Sequence, residues 1–478
     1  MDIKKDSLEF WKQGYAAGYL EGKATRDLIA LHIRNTLSNH CDGIMKYCQT
    51  LRQFIRDNVK WMIQQIMQNK EDQYWNQIAL TLFQFKGIQD AYYHRKPRLK
   101  FELDLDVLSD SEEYVIEPLM MLQLHGDLKD LRYKFKKPKV PHKLFNKNNG
   151  HCSALVKLLP DHSDLFFAHV TWMSYSTMLR MQKKYKFKTG NAGQTYAFSG
   201  YPGTISSIDD FIVTSARLAI LETTITNHNE TLNNYITPQT IPSWIRTQAA
   251  QRTASTVKEW IDIFAKHNSG TYNNQWVIVD YKKFKSGQRM QDSELIYVLE
   301  QLPLITEHRD MTGHLLNSTY WPNYNRAYFP KIQIAMDMPT TVKNKGDWFS
   351  HDGAPRGKIF ARDHKNVVDM DSMIRLMRSN NFKEDPLCRC NCTPPYSSDN
   401  AISCRNDLND KNGIYPFDDL GFDDQGGTDV KVTNSHLIKS LQFTAIAGPT
   451  HDPLPVFDWN NDPFDGNVPH FGQPSRWT

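Results

Sequence analysis

Residues 148–155 read NNGHCSAL, and they place a single cysteine, Cys152, where the character of the chain changes. The preceding stretch, DLRYKFKKPKVPHKLFNKNNG, is rich in lysine and shows no hydrophobic period, which is typical of an exposed linker. The stretches that follow, 153–160 (SALVKLLP) and 164–172 (DLFFAHVTW), are short and rich in β-forming residues. They predict two strands joined by a hairpin near residues 161–163.

The region before the linker is predicted to be helical, because its apolar residues recur with a 3.6-residue period. Ser7 is the candidate N-cap of the first helix. The spacing of Gly14, Gly18 and Gly22, among many charges, indicates close helix packing in a soluble core rather than dimerisation in a membrane. The helical stretches are SLEFWKQGYAAGYLEGKATRDLIALHI, LRQFIRDNVKWMIQQIM and YWNQIALTLFQFKGIQDAY.

Downstream of the hairpin, helix-like and strand-like stretches mix without a regular βαβ repeat, which predicts α+β layers rather than a doubly wound fold. STMLRMQKKYKF and ASTVKEWIDIFAKH predict helices. QTYAFSGYPGTIS, DDFIVTSARLAILETTI and QWVIVDYKKF predict strands. The last part of the chain is rich in Pro, Gly, Asn and Asp, and we expect it to form ordered loops.

The net charge, the apolar runs and the first residues of the chain limit the classes of protein to which it can belong. The chain has 478 residues, a net charge of +4 and no run approaching ~18 apolar residues, so no transmembrane helix is predicted. There is no long basic arm, and we expect no nucleic-acid partner. The first residues lack an apolar signal core, so either the protein is cytosolic or a signal was removed before this numbering begins.

The cysteine content favours a protein whose signal was removed over a cytosolic one. Three pairs and one remaining cysteine indicate an oxidised protein with one reserved thiol, whereas zinc binding is less favoured because C-x-C-x-C lacks the usual spacing. The Cys41–Cys48 disulfide is the clearest prediction, and three pairings remain open for the late cluster, Cys388, Cys390, Cys392 and Cys404. Three glycosylation sequons also fit a secreted or lysosomal protein: Asn229, Asn317 and Asn391.

Cys152 could be a small core residue, half of a disulfide or a nucleophile. A thiol attacks only as a thiolate, and an α-amino group with a pKa near ~8 could take its proton if Cys152 became the first residue of a chain. That requires a cut between His151 and Cys152, where an expendable linker ends. From the residues alone, a buried small hydrophobe is the more usual role.

Blocks along nearly the whole chain resemble the phospholipase B-like family, whose members are lysosomal or secreted proteins with the N-terminal-nucleophile hydrolase fold. They include HCSALVKLLPDHSDLFFAHVTW, FSGYPGTISSIDDF, NSGTYNNQWVIVDYK, GDWFSHDGAPRGKIFARD and GGTDVKVT. The resemblance implies an αββα sandwich, a cut before Cys152, two fragments that stay associated, and hydrolysis of acyl esters of glycerophospholipids. It implies no metal or organic cofactor, and it is compatible with transient contact with a membrane surface.

The resemblance also implies a division of the chain. Residues 1–130 form a helical fragment packed on the core, 131–151 an exposed linker ending at the cleavage site, and 152–478 the catalytic core with a disulfide-stapled C-terminal region. Two other functions stay open: an N-acyl amide hydrolase of the same fold, and a lysosomal glycoprotein that binds lipid with little turnover.

Several residues are candidates to assist Cys152. His169 lies on the partner strand of the hairpin. Thr171 and Trp172 on the same strand are candidates to bind substrate, and Trp172 could wall an acyl pocket. Other candidates lie far along the chain: Asn273 and Asn274 for the oxyanion hole, Arg356 for Cys152 or a substrate phosphate, and Arg326 as its rival.

Overall fold

The computed structural model describes residues 3–38, 41–98, 100, 102–108, 114–136, 152–288, 290, 292–461 and 463–478. His151, and with it the linker from residue 137 onward, lies outside the described residues. The helices are α1 (Ile3–Ala24), α2 (Arg26–Leu37), α3 (Met45–Gln68), α4 (Gln73–Tyr92), α5 (Pro118–Gln123), α6 (Asp127–Lys134), α7 (Ser243–Thr253), α8 (Val257–Phe264), α9 (Thr312–Ser318), α10 (Pro330–Ala335), α11 (Met338–Lys345), α12 (Pro355–Asp363) and α13 (Met370–Met377). The strands are β1 (Cys152–Leu158), β2 (Leu165–Ser174), β3 (Met181–Lys186), β4 (Thr195–Gly200), β5 (Phe211–Thr214), β6 (Leu218–Thr224), β7 (Asn274–Asp280), β8 (Ile296–Leu302), β9 (Ile305–Asp310), β10 (Tyr320–Asn323), β11 (Gln425–Gly427), β12 (Asp429–Thr433), β13 (Thr444–Ala447), β14 (Phe457–Asp458) and β15 (Arg476–Trp477).

The chain folds into two compact units that interleave along the sequence. The first unit comprises Met1–Asn146, Leu179–Ala216 and Glu230–Tyr272, and the second Lys147–Met178, Arg217–Asn229 and Asn273–Thr478. Parts of the chain beyond the linker therefore belong to the same unit as the N-terminal helices, and the predicted segments 1–130 and 152–478 do not correspond one to one with the two units.

The first unit is built on the tight packing of α1 against α4. A Cβ at Gly18 would lie 1.8 Å from the Gln84 carbonyl oxygen, and one at Gly14 would lie 2.5 Å from the Leu80 carbonyl oxygen. The predicted close packing at these glycines is confirmed. The predicted N-cap is wrong, since α1 begins at Ile3 and Ser7 lies inside it. None of the described helices is both long and apolar enough to cross a membrane.

One predicted helix of the first unit is a strand. Residues from STMLRMQKKYKF form β3, which pairs antiparallel with β4, and β4 pairs with β5. Lys183 points inward from β3, where its Nζ donates to Glu21 Oε1 at 2.7 Å. Pairing with β4 outweighs the local helical preference of this lysine-rich stretch.

In the second unit, the predicted hairpin of β1 and β2 is confirmed. It is the middle of an antiparallel sheet with the order β10-β1-β2-β12-β13, and β11 also pairs with β2. A second antiparallel ladder runs from β6 through β7 and β8 to β9. These antiparallel sheets, together with the helices, confirm the predicted α+β class.

The disulfide predictions are met in part. Cys41 and Cys48 are bonded, with their Cα atoms 5.9 Å apart, and in the late cluster Cys390 bonds Cys392. The prediction of disulfides at Cys388 and Cys404 is wrong: both are thiols buried in the apolar core of the second unit. Burial raises the pKa of the Cys388 thiol to about 12, so it packs as a small neutral side chain.

Candidate active site

Both backbone groups of Cys152 are held by side chains from distant parts of the second unit. Its N–H donates to Asn325 Oδ1 at 2.9 Å. Its carbonyl oxygen accepts from Arg356 Nη1 at 2.6 Å. The residue is 6% exposed and is the first of β1. The N–H and the carbonyl group of Cys152 are therefore both hydrogen-bonded to side chains, which fixes the backbone at the start of β1.

Thr171 of β2 lies directly opposite Cys152. Its N–H donates to Asp429 Oδ1 at 3.0 Å, and its carbonyl oxygen accepts from the Thr428 N–H at 2.8 Å. Both groups point away from β1, so Cys152 and Thr171 form a non-hydrogen-bonded pair, the kind in which opposite side chains come closest. Their Cβ atoms are expected about 5 Å apart on one face of the sheet.

His169 lies on the same face, opposite Ala154. Its Nε2 is 3.0 Å from the Glu222 carbonyl oxygen, and its Nδ1 is 3.5 Å from Thr171 Oγ1. A carbonyl oxygen can only accept, so Nε2 carries a proton, and in the neutral ring Nδ1 is then the acceptor. His169 therefore lies on the same face of the sheet as Cys152, two residues along β2 from Thr171. Its ring is held by the hydrogen bond to the Glu222 carbonyl oxygen on β6.

Asn273 and Asn274 are both buried at the start of β7, and Asn274 pairs with Thr224 of β6. The side-chain oxygen and nitrogen of Asn274 have no hydrogen-bond partner among the described residues. A buried amide without partners costs about 1–3 kcal/mol, so it calls for an explanation, and a ligand that pairs with it is one. Asn274 is therefore the stronger oxyanion-hole candidate of the two.

Asn325 links Cys152 to β6, and sequence reasoning missed it. Its backbone is left-handed, with φ 63°, and its N–H donates to Thr223 Oγ1 at 3.3 Å. Its Nδ2 donates to the Thr224 carbonyl oxygen at 2.8 Å. One side chain therefore contacts the backbones of both the Cys152 strand and the strand beside Asn274.

Trp172 lies on the opposite face of β2 from Thr171 and His169, because side chains alternate along a strand. It is fully buried and donates from Nε1 to the Ile402 carbonyl oxygen at 3.2 Å. The Arg356 guanidinium stacks 4.3 Å from the centre of its ring. The structure therefore does not bring Trp172 to the Cys152 side chain, and instead makes it the platform for Arg356.

The family model described as Phospholipase B matches residues 3–478. The chain belongs to this phospholipase B family. It is 52% identical to "Putative phospholipase B-like 1" of Caenorhabditis elegans, over 100% of this chain and 82% of the relative. It is 34% identical to "Phospholipase B-like protein B" of Dictyostelium discoideum, over 99% of this chain and 80% of the relative.

In this member of the phospholipase B family, buried charges lie behind the Cys152 carbonyl. Arg326 donates from Nη1 to the Asn325 carbonyl oxygen at 3.0 Å, so it contacts the residue that holds the Cys152 N–H. Burial, reinforced by repulsion from Arg356, lowers the pKa of Arg326 to about 10. Burial raises the pKa of the Asp399 carboxyl to about 7, although the attraction of Arg356 opposes this. Asp399, which sequence reasoning also missed, is thus a buried carboxyl that interacts electrostatically with both guanidinium groups and is ionised only when the pH exceeds about 7.

Proposed function

We propose that this chain is a cysteine N-terminal-nucleophile hydrolase that cuts itself between His151 and Cys152 and then hydrolyses acyl ester bonds of glycerophospholipids. The observation that carries the proposal is the hydrogen bond from Cys152 N to Asn325 Oδ1 at 2.9 Å. After a cut, the same oxygen is an acceptor for the new α-amino group. Membership of the phospholipase B family and the names of the relatives support the lipid substrate class.

The αββα sandwich is part of this proposal. Within the second unit, β2 of one antiparallel sheet meets β6 of the other ladder at the contact of His169 Nε2 with the Glu222 carbonyl oxygen. Helices α12 and α13 contribute Arg356, Phe360 and Met373 to the outer side of the first sheet, the side on which Trp172 lies. This arrangement supports two facing sheets with helices outside.

Maturation would begin when the Cys152 thiol attacks the carbonyl carbon of residue 151. The peptide C–N bond breaks, a thioester forms, and the nitrogen gains a proton to become a free amine. Water then hydrolyses the thioester, which leaves a carboxylate on residue 151 and restores the thiol. The Arg356 contact with the Cys152 carbonyl oxygen and the Asn325 contact with its nitrogen hold the attacking residue in place.

Catalysis on a phospholipid would use the same atoms. The Cys152 amine accepts the thiol proton, and the thiolate attacks the ester carbonyl carbon. The amide Nδ2 of Asn274 donates to the oxyanion as it forms. The alcohol leaves with the proton held by the amine, and water then cleaves the acyl-cysteine to a fatty acid and the thiol. Asn325 Oδ1 accepts one amine hydrogen and so orients the lone pair.

The test is Cys152→Ala beside Cys388→Ala, a control that removes a buried thiol at another place in the second unit. We expect Cys152→Ala to give one uncut chain without fatty-acid release, and Cys388→Ala to be cut and active. Fragment masses and fatty-acid release from mixed phospholipids are measured. Cutting of Cys152→Ala made alone would disprove self-processing, whereas cut wild type that releases no fatty acid would favour the lipid-binding role. Paired ester and amide substrates separate the two hydrolase functions.

A further inference from the structure

The proposed function leaves one conspicuous feature unused, a buried ion pair in the block GGTDVKVT. Lys431 is fully buried and Asp429 is 2% exposed, and Lys431 Nζ lies 2.8 Å from Asp429 Oδ2. Taking two charges out of water costs several kcal/mol for each ion, and such a pair rarely increases stability over apolar residues. An ion pair in this position therefore calls for an explanation other than stability.

Both members of the pair hold Thr171, the residue opposite Cys152. Lys431 Nζ donates to Thr171 Oγ1 at 2.6 Å, and Asp429 Oδ1 accepts the Thr171 N–H at 3.0 Å. Lys431 lies opposite His169 on β2, so it projects from the same face of the sheet as Cys152, His169 and Thr171. The ion pair thus contacts the nearest neighbour of the Cys152 side chain.

The contact with Lys431 decides where the hydroxyl proton of Thr171 can point. An ammonium group has donors and no acceptor, so Thr171 Oγ1 must accept from Lys431 and turn its own O–H elsewhere. His169 Nδ1 lies on this face at the long distance of 3.5 Å, and Cys152, directly opposite Thr171 in the sheet, carries its sulfur on the same face. The long distance to His169 leaves the hydroxyl free to turn when a thiolate forms.

We propose that Lys431, held in place by Asp429, is a positioning residue that acts on Cys152 through the Thr171 hydroxyl and makes the thiolate easier to form. This inference rests on the proposed role of Cys152 as nucleophile. Donation from Lys431 polarises the Thr171 O–H, which strengthens the hydrogen bond it gives to a thiolate. A donor aimed at the charged form of a thiol favours that form.

The test measures the rate at which iodoacetamide alkylates Cys152 as a function of pH, with the modified peptide identified by mass. Purified cut wild type is compared with Thr171→Val, Thr171→Ser and the charge-free pair Lys431→Met with Asp429→Asn. We expect the pH midpoint to rise by roughly one unit in Thr171→Val and in the charge-free pair. Thr171→Ser keeps the hydroxyl and should stay near wild type.

Combining Thr171→Val with the charge-free pair should give no further shift, because the pair acts through the hydroxyl. Equal midpoints in wild type and Thr171→Val would overturn the proposal, as would a full second shift in the combined variant. If the Lys431→Met, Asp429→Asn variant does not fold, the alkylation midpoints of Thr171→Val and Thr171→Ser decide whether the hydroxyl stabilises the thiolate. Absence of fatty-acid release from cut wild type would count against the proposed function but leave the alkylation midpoints interpretable.

Discussion

At the scale of single residues, the site is an assembly of groups that the sequence presents far apart. Cys152 could be found from its own surroundings, because a linker and a strand meet there. Asn325 could not, since it reaches Cys152 across 173 positions and no local pattern marks it. Lys431 lies in the part of the chain that was predicted to form ordered loops, and only the register of β12 against β2 places it beside the site.

Asn274→Ala tests the residue assigned to the oxyanion hole, with Asn273→Ala as its neighbour control. Because the Asn274 amide has no hydrogen-bond partner among the described residues, its loss should leave the thermal midpoint near that of wild type. We expect kcat for fatty-acid release to fall about 10²–10³-fold. Thermal melting and initial rates are measured on cut protein, and an unchanged kcat would remove Asn274 from the mechanism.

At the scale of elements, the sequence predicted what local patterns determine. The hairpin of β1 and β2, the first helices and the glycine packing of α1 all follow from periodicity and small residues. The strand β3 was predicted as a helix, because its partner β4 and the ion pair of Lys183 with Glu21 lie elsewhere in the chain. Pairing of this kind is set by tertiary structure rather than by propensity.

Gly18→Ala tests the close packing of α1 on α4. A Cβ there would lie 1.8 Å from the Gln84 carbonyl oxygen, so one of the helices must shift. We expect a loss of about 1–3 kcal/mol in the free energy of unfolding. Gly313→Ala on α9 is the control, since a Cβ there meets nothing within 4 Å and alanine favours a helix. Equal stability of the two variants, measured by denaturant unfolding, would contradict this account of α1.

At the scale of the whole molecule, several buried carboxyl groups titrate near neutrality. Burial raises the pKa of Glu117 to about 7 and that of Asp127 to about 6 in the first unit. It raises the pKa of Glu300 and of Asp399 to about 7 in the second unit. Each folded carboxyl binds its proton more tightly than the unfolded chain does. Its contribution to stability is therefore complete below about pH 4 and is lost as the pH rises through 6 to 7.

Histidines act in the opposite direction over the same range. Burial lowers the pKa of His32 to about 3 and that of His125 to about 4, so their contribution is present above pH 6.5 and is lost as the pH falls. The pH profile of the whole protein sums both kinds of group. A single carboxyl must therefore be isolated by mutation.

Glu117→Gln isolates one such carboxyl. The amide mimics the protonated acid, so the variant should match wild type near pH 4 and become more stable than wild type by about 3 kcal/mol at pH 8. The free energy of unfolding of both proteins is measured between pH 4 and 8. A difference that stays constant with pH would show that Glu117 titrates normally in the folded protein.

In the proposed mechanism Cys152 becomes the first residue of a chain and uses its own amine as the base. N-terminal mass analysis of the larger fragment from protein that releases fatty acid measures this directly. We expect a fragment that begins at Cys152 and carries a free α-amino group. An intact bond between His151 and Cys152 in every active molecule would contradict it.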